Sequence, residues 1–335
     1  MTKDDFHELL FNTLTSQDFN LEKANQLQEA RLKILPQFLY RYYSFTDKNG
    51  NDLTSPEGKN TFHSICTCIE ENKVRLSSPD SMNDLYDSSL STTLDQIRIQ
   101  SMLKDLQSHP DLSKIITTTE FETLHYLSNN QSSFLNELSL ITAKYQPFIG
   151  DKSKLAKAFE QTIQESFDRM DNQTHVRFRA LKSKIKLFCL SERWDSLPMW
   201  AHYASNHSGI CIEYDIKKIG FEIISRMINP IKYCDDMPNL TSLIFDKDKI
   251  ATFILQIASI HKCSDCSYEK EWRYYIPDDS VNYSYGWKAT KIIYSKNLNE
   301  RHKEKLISLC QTNNIELHGM ELQRNSYKPE LIKVL

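Results

Sequence analysis

Glycine is scarce in this chain, seven in 335 residues, where an ordinary sequence carries about 7%. Neither GxGxxG nor GxxxxGK[ST] occurs. The Gly-rich turns that cradle phosphate with backbone N–H groups in Rossmann and P-loop proteins are therefore missing. A nucleotide ligand has to be held by side chains and some other loop. HExxH, GxSxG and an acidic metal loop are absent too, and with them the signatures of zincins and α/β-hydrolases. No apolar run approaches the roughly 18 residues of a membrane helix. The opening MTKDDFHELLF has no signal-like apolar stretch, so a cytoplasmic protein is expected, with no membrane partner. Charge is nearly balanced, 41 Lys and Arg against 44 Asp and Glu. A broad basic face for nucleic acid is not expected.

What is present is core material. Hydrophobic residues make up 40% and aromatics 11%, too much for a long disordered protein. The length suits one large domain or two ordinary ones. Eight Cys without a signal peptide read as free thiols. Cys263-x-x-Cys266 near His261 has zinc-like spacing, but Cys66-x-Cys68 falls on an expected helix, where i and i+2 face apart. No metal is expected.

The spacing predicts helix over 1–34, closed by Pro36, then an aromatic strand at Phe38–Phe45. A short helix at about 60–72 and a strand in KVRLSSP follow. Within 91–182, Leu155, Phe159, Ile163, Phe167 and Met170 recur every three or four residues, and two more helices centre on Leu124 and Leu138. Strands return at IKLFCL, GICIEY, YEKEWRYYIP, ATKIIYS and IELHGMEL, with helices near 243–261 and 298–313. Strands scattered unevenly among helices indicate α+β, not a βαβ repeat. The expected organisation is an N-terminal helical segment (1–35), an α+β core (36–90 and 183–335) and a helical insertion (91–182).

Four clusters carry candidate chemistry. Met199-Trp200-Ala201-His202-Tyr203 with His207 supplies flat rings with polar edges and two proton carriers; a packed helix with half-buried aromatics explains it equally. In Tyr268-Glu269-Lys270-Glu271-Trp272-Arg273, strand alternation puts Glu269, Glu271 and Arg273 on one face. That is either a solvated charge ladder or a pocket wall whose carboxylate stabilises a developing cation. Arg41 in YRYYSF has a planar fork suited to phosphate, or serves an edge strand's solubility. Ser77-Ser78-Pro79-Asp80 and Asn83-Asp84 make an acidic turn.

The segments LYRYYSF, RLSSPDSMNDLYD, CLSERWDSLPMWAHYASNHSGICIEYD and YEKEWR, in that order, resemble a bacterial family of unassigned function, domain-of-unknown-function family 2971. The resemblance covers about 38–90 and 185–275. Leu85 stands where the family usually has Pro and Tyr43 where it often has Arg, so its basic character there rests on Arg41. The order of the pieces also resembles the ADP-ribosyltransferases. In those enzymes a basic residue on a first strand holds NAD, a Ser or Tyr follows, and a catalytic Glu comes late, often as Glu-x-Glu.

That second resemblance implies a mixed or antiparallel central sheet of the ADP-ribosyltransferase type and NAD as substrate. It implies that Arg41 pairs with the pyrophosphate, with Ser191, Arg273 and Asn83 in the NAD site. Trp200 or Tyr203 stacks on nicotinamide, with Tyr203 and His202 among the catalytic group. Glu271 stabilises the oxocarbenium-like transition state, Glu269 orients the acceptor, and Arg273 keeps Glu271 ionised. The acceptor is protein, nucleic acid or water, and a toxin or phage-defence effector is the implied setting. The alternatives are a nucleotide-sensing pocket of Trp200, His202, Tyr203 and Trp272 without chemistry, and an interaction protein that docks a partner through its helical segments.

Overall fold

Thr2 and Asp5 cap each other reciprocally, the Asp5 N–H donating to Thr2 Oγ1 at 3.1 Å and the Thr2 N–H to Asp5 at 2.7 Å, which starts α1 (Lys3–Thr15). Asn20 then accepts the Lys23 N–H at 3.0 Å and starts α2 (Leu21–Ile34). The apolar spacing over 1–34 is thus shared by two helices. The computed structural model describes residues 1–16, 18, 20–47, 51–54, 60–82, 94–108, 116–145, 152–219, 227–238 and 250–335.

β1 (Phe38–Tyr43) follows, then α3 (Thr61–Glu70), the short β2 (Lys73–Arg75) and a 3-10 turn at Pro79–Ser81. Next come α4 (Leu94–Ser108), α5 (Thr118–Leu127), α6 (Gln131–Lys144) and the long α7 (Lys152–Lys182). The remainder runs β3 (Lys186–Ser191), α8 (Leu197–Tyr203), β4 (Ile210–Asp215), β5 (Ile228–Pro230), β6 (Lys232–Cys234), α9 (Ile250–Ser259), β7 (His261–Cys263) and β8 (Glu271–Ile276). It ends with β9 (Tyr283–Tyr285), β10 (Ala289–Tyr294), α10 (Glu300–Asn313), β11 (Glu316–Leu322) and β12 (Pro329–Lys333).

The chain divides into two compact units. One is Met1–Leu90, Lys182–Pro238 and Asp246–Leu335; the other is Ser91–Leu181 with Asn239–Phe245. The helical unit has its own core, in which Ile99 and Leu103 of α4, Leu124 of α5 and Phe134, Leu138 and Ile141 of α6 are buried. Ile163 of α7 packs against them.

The larger unit is built on an eight-stranded mixed sheet, order β12-β11-β10-β4-β1-β3-β8-β5. β10 and β11 are parallel and the other neighbours antiparallel. Leu39, Phe188, Leu190, Ile212, Trp272, Trp287 and Ile292 bury its main apolar layer. β1 pairs with β4 along its whole length, and β3 with β8 along theirs. Between β1 and β3, however, Tyr40 opposite Ser191 is the single registered pair. The sheet therefore splits in its middle. Across the gap the Arg41 guanidinium donates to the Cys189 carbonyl at 2.9 Å, supplying a hydrogen bond that splayed backbones do not make.

The expected strand over YEKEWRYYIP begins only at Glu271. Ser264–Glu269 form a 3-10 turn, and Lys270 is left-handed at φ 44°, a kink that precedes the ladder. No helix among the described residues is long and apolar enough to cross a membrane.

Candidate functional site

The splay between β1 and β3 opens a cavity of about 190 Å³. Tyr40 and Arg41 come from β1, and Leu187, Cys189, Leu190 and Ser191 from β3. Tyr203 comes from α8, Lys262 from β7, Glu269 from the 3-10 turn and Glu271 from the start of β8. Tyr42, Met199, Ser77, Ser81 and Met82 complete the described lining.

Its wall is a chain of buried charges. Tyr203 Oη donates to Glu269 Oε1 at 2.8 Å. Lys262 Nζ donates to Glu269 Oε2 at 2.7 Å and reaches Glu271 Oε2 at 3.4 Å. Arg273 grips Glu271 with Nε on Oε1 at 2.8 Å and Nη2 on Oε2 at 3.1 Å, and gives Nη1 to the Ser259 carbonyl at 2.9 Å. Two carboxylates meet two cations, so the group is neutral as a whole. A buried ionised network is stable only when charges and hydrogen bonds are matched in this way.

The two carboxylates are driven apart in acidity. Burial raises Glu269 above its ordinary value, and the charge of Glu271 adds to the rise. Burial also opposes ionisation of Glu271, but Arg273 and Lys262 override it and hold that carboxyl down at about 2. Burial alone would strip Lys262 of its proton; the charges of Glu271 and Glu269 hold it on well above the ordinary range. Burial keeps the Cys189 thiol protonated, pushed up to about 12, and so not a nucleophile.

Of the expected site residues, Arg41, Ser191, Tyr203, Glu269 and Glu271 line this one cavity. Several others are corrected. Trp200 is fully buried, edge-on to Tyr42 at 5.1 Å and 83°, with its indole N–H on the Trp194 carbonyl at 2.7 Å; no ligand ring stacks on it. His202 is exposed, meets Tyr268 Oη at 3.2 Å and does not line the cavity. Trp272 is fully buried with its N–H on Glu192 at 2.7 Å, so the aromatic pocket imagined from Trp200, His202 and Trp272 is not assembled. Arg273 is wholly buried, does not line the cavity and stands behind Glu271, which does.

Ser191 has its hydroxyl committed to the Glu269 carbonyl at 2.6 Å and the Arg193 N–H at 3.0 Å. Asn83 lies outside the described residues. Glu269 and Glu271 do share a site, though not by strand alternation. The 3-10 turn and left-handed Lys270 swing Glu269 back onto the same lysine.

Lys262 was missed. It follows the apolar run IASIH, where a lysine reads as the end of a helix. One signal was available: Glu-x-Glu with a single Arg beside it leaves a carboxylate uncompensated if buried, and another cation must come from elsewhere. Among the described residues, no group of three or more His, Cys, Asp or Glu is placed to hold a metal ion.

A family model described as a protein of unknown function (DUF2971) matches residues 199–274. That span includes Tyr203, Lys262, Glu269 and Glu271, but not Arg41, Cys189 or Ser191. Neither the curated proteins nor the solved structures yield a match to this chain.

Proposed function

We propose that the split-sheet cavity performs glycosyl transfer on NAD, as an ADP-ribosyltransferase or NAD glycohydrolase. The observation that carries the reading is the pair of carboxylates in one wall, Glu271 held ionised and Glu269 raised, facing a cavity that Arg41 also lines. Two carboxyls whose environments push their acidities apart are the usual division of labour in glycosidic chemistry.

In this reading Arg41 pairs with the pyrophosphate through its planar fork. Glu271 is the fixed negative charge towards which the ribose develops positive character as its C1′–N bond breaks. The bonding electrons pass to the nicotinamide nitrogen. Nicotinamide leaves neutral, so no acid is needed for it. An acceptor oxygen then bonds C1′ and its proton passes to Glu269, whose raised pKa suits a base. Lys262 holds both carboxylates in place, and the proton that Glu269 gains leaves the wall one positive charge in excess until it passes to solvent. Tyr203 fixes the direction of Glu269.

The decisive variant is Glu269→Gln, because an amide there still accepts from Tyr203 or Lys262, whereas the amide at 271 would lose the bidentate, charge-matched grip of the wholly buried Arg273. Free nicotinamide is followed by chromatography after incubation with NAD, with and without cell lysate as a source of acceptor. The wild type is expected to release nicotinamide, and Glu269→Gln to lose about 10²–10⁴-fold in rate while its circular dichroism is unchanged. No release by the wild type under either condition, or full activity in the variant, overturns the proposal.

A further inference from the structure

β6 and β7 run parallel and in register, Lys232 opposite His261, Tyr233 opposite Lys262 and Cys234 opposite Cys263. Alternation gives this short ladder two faces. One face serves the carboxylates: Tyr233 Oη accepts the Glu271 backbone N–H at 2.7 Å, and Lys262 reaches Glu269 and Glu271. The next pair, Cys234 and Cys263, therefore projects to the other face. Both are free thiols, Cys263 exposed and Cys234 half-buried, and both line a second recess that Asp235, Met237, Pro238, His261 and Lys262 also line, so that Lys262 borders this recess as well as the carboxylate cavity.

Neighbouring strands lie about 4.7–4.9 Å apart, inside the roughly 4.4–6.8 Å between Cα atoms that a disulfide spans. The ladder also ends at this pair. Ser264 begins the 3-10 turn, and the described strand β6 ends at Cys234, so the bond closes at the end of the ladder, and the pair it pulls on next is Tyr233 and Lys262.

We propose that Cys234 and Cys263 form a reversible disulfide that shifts Tyr233 and Lys262 against Glu271 and so regulates the carboxylate site. The oxidant is hydrogen peroxide. The exposed Cys263 thiolate attacks the peroxide; an S–O bond forms, the O–O bond breaks, and the departing hydroxide takes a proton to become water. Cys234, whose thiol burial holds above its ordinary value, attacks the sulfenic sulfur. The S–S bond forms, and the hydroxyl leaves with the Cys234 proton as a second water. Two thiols have given two electrons and two protons to one peroxide. A disulfide at an exposed strand end is of the labile kind that a dithiol reverses.

The test uses the full chain and needs no substrate. The protein is oxidised with hydrogen peroxide, blocked with N-ethylmaleimide and mapped by proteolysis and mass spectrometry. The expected result is a peptide linking Cys234 to Cys263, lost on adding dithiothreitol. Cys234→Ser leaves Cys263 as a sulfenic acid that dimedone labels. N-ethylmaleimide on Cys234 after oxidation, or a link from Cys263 to Cys266, overturns the pair.

The shift of Lys262 is read as a change in the pH dependence of thermal melting between the reduced and oxidised chain. The change is expected in the wild type and not in Cys234→Ser; identical profiles overturn the coupling. What the site does when regulated rests on the glycosyl-transfer reading, and nicotinamide release tests that separately. A linked peptide with a shifted profile but no nicotinamide from either form leaves the thiol pair standing and removes the enzymatic reading.

Discussion

Glu271 and Arg273 sit two positions apart on one strand, and alternation alone puts them side by side. Arg273 holds both carboxylate oxygens of Glu271 in a bidentate grip. It sets an acid limb on stability. The Glu271 carboxyl falls from its ordinary 4.5 to about 2 on folding. A group lowered in this way contributes stability above 4.5 and loses it as pH drops towards about 2. Glu269, raised on folding, acts in the opposite sense: its contribution is full below its ordinary value and fades as pH rises through its folded one. Asp18 and Glu120 are also lowered to about 2; Asp18 lies in solvent, where screening leaves little effect, and the half-buried Glu120 adds to the acid limb in the same sense as Glu271. The melting temperature of the wild type is thus expected to fall steeply between about pH 4.5 and about pH 2. The Glu271→Gln protein is expected to melt lower at neutral pH with a shallower acid limb. Parallel acid limbs in the two proteins exclude Glu271 as the source.

At the scale of elements, α8 and the turn after it show how a candidate site becomes core. The helix carries Pro198 in its first turn and buries Met199 and Trp200. The indole has a backbone acceptor at hand in the Trp194 carbonyl, so the whole ring can be buried with its one polar atom satisfied. Ser205, Asn206 and His207 then take three successive left-handed conformations, φ 48°, 55° and 65°. These are costly for residues with a Cβ, and here the backbone is tied by Asn206 N–H to the Ala201 carbonyl at 3.2 Å and His207 N–H to the Trp200 carbonyl at 3.2 Å. The turn closes at Gly209, where an added Cβ would run into the Tyr43 carbonyl of β1. One of seven glycines is thus spent where backbone must approach backbone. Gly209→Ala is expected to cost about 1–3 kcal/mol, the usual penalty of overpacking, read as a lowered denaturant midpoint with no change in slope. An unchanged midpoint means that β1 and the turn have room to separate.

At the scale of the molecule, two cores are separate clusters of side chains, one on the sheet and one among α4 to α7. Phe134 is wholly buried in the helical one. Phe134→Ala is expected to cost that unit about 3–5 kcal/mol, and scanning calorimetry should show one transition moved down and the other left in place. A single transition moving as a whole means that the two units unfold as one. The split in the sheet is also a property at this scale. It brings Arg41 to Cys189, 148 positions away in sequence, and Tyr203 to Glu269, 66 away.

Periodicity by itself determined the α+β class, the positions of β1, β3, β4, β8, β10 and β11 to within a few residues, and the helical character of 91–182, because burial against one face writes a period of 2 or 3.6 into the residues. The scarcity of glycine determined that any phosphate must be met by side chains. Which polar residues face a ligand was not written there. Trp200 and Tyr203 are three positions apart on one helix, yet one is sealed in the core and the other lines the cavity. Lys262 has no local signal, because its partners lie at the end of the next turn and at the start of the next strand. Only the tertiary structure decided where the sheet opens, which carboxylate is paired with which cation, and so which is kept ionised. Those outcomes depend on burial and on distances between residues far apart in the chain, and periodicity carries neither.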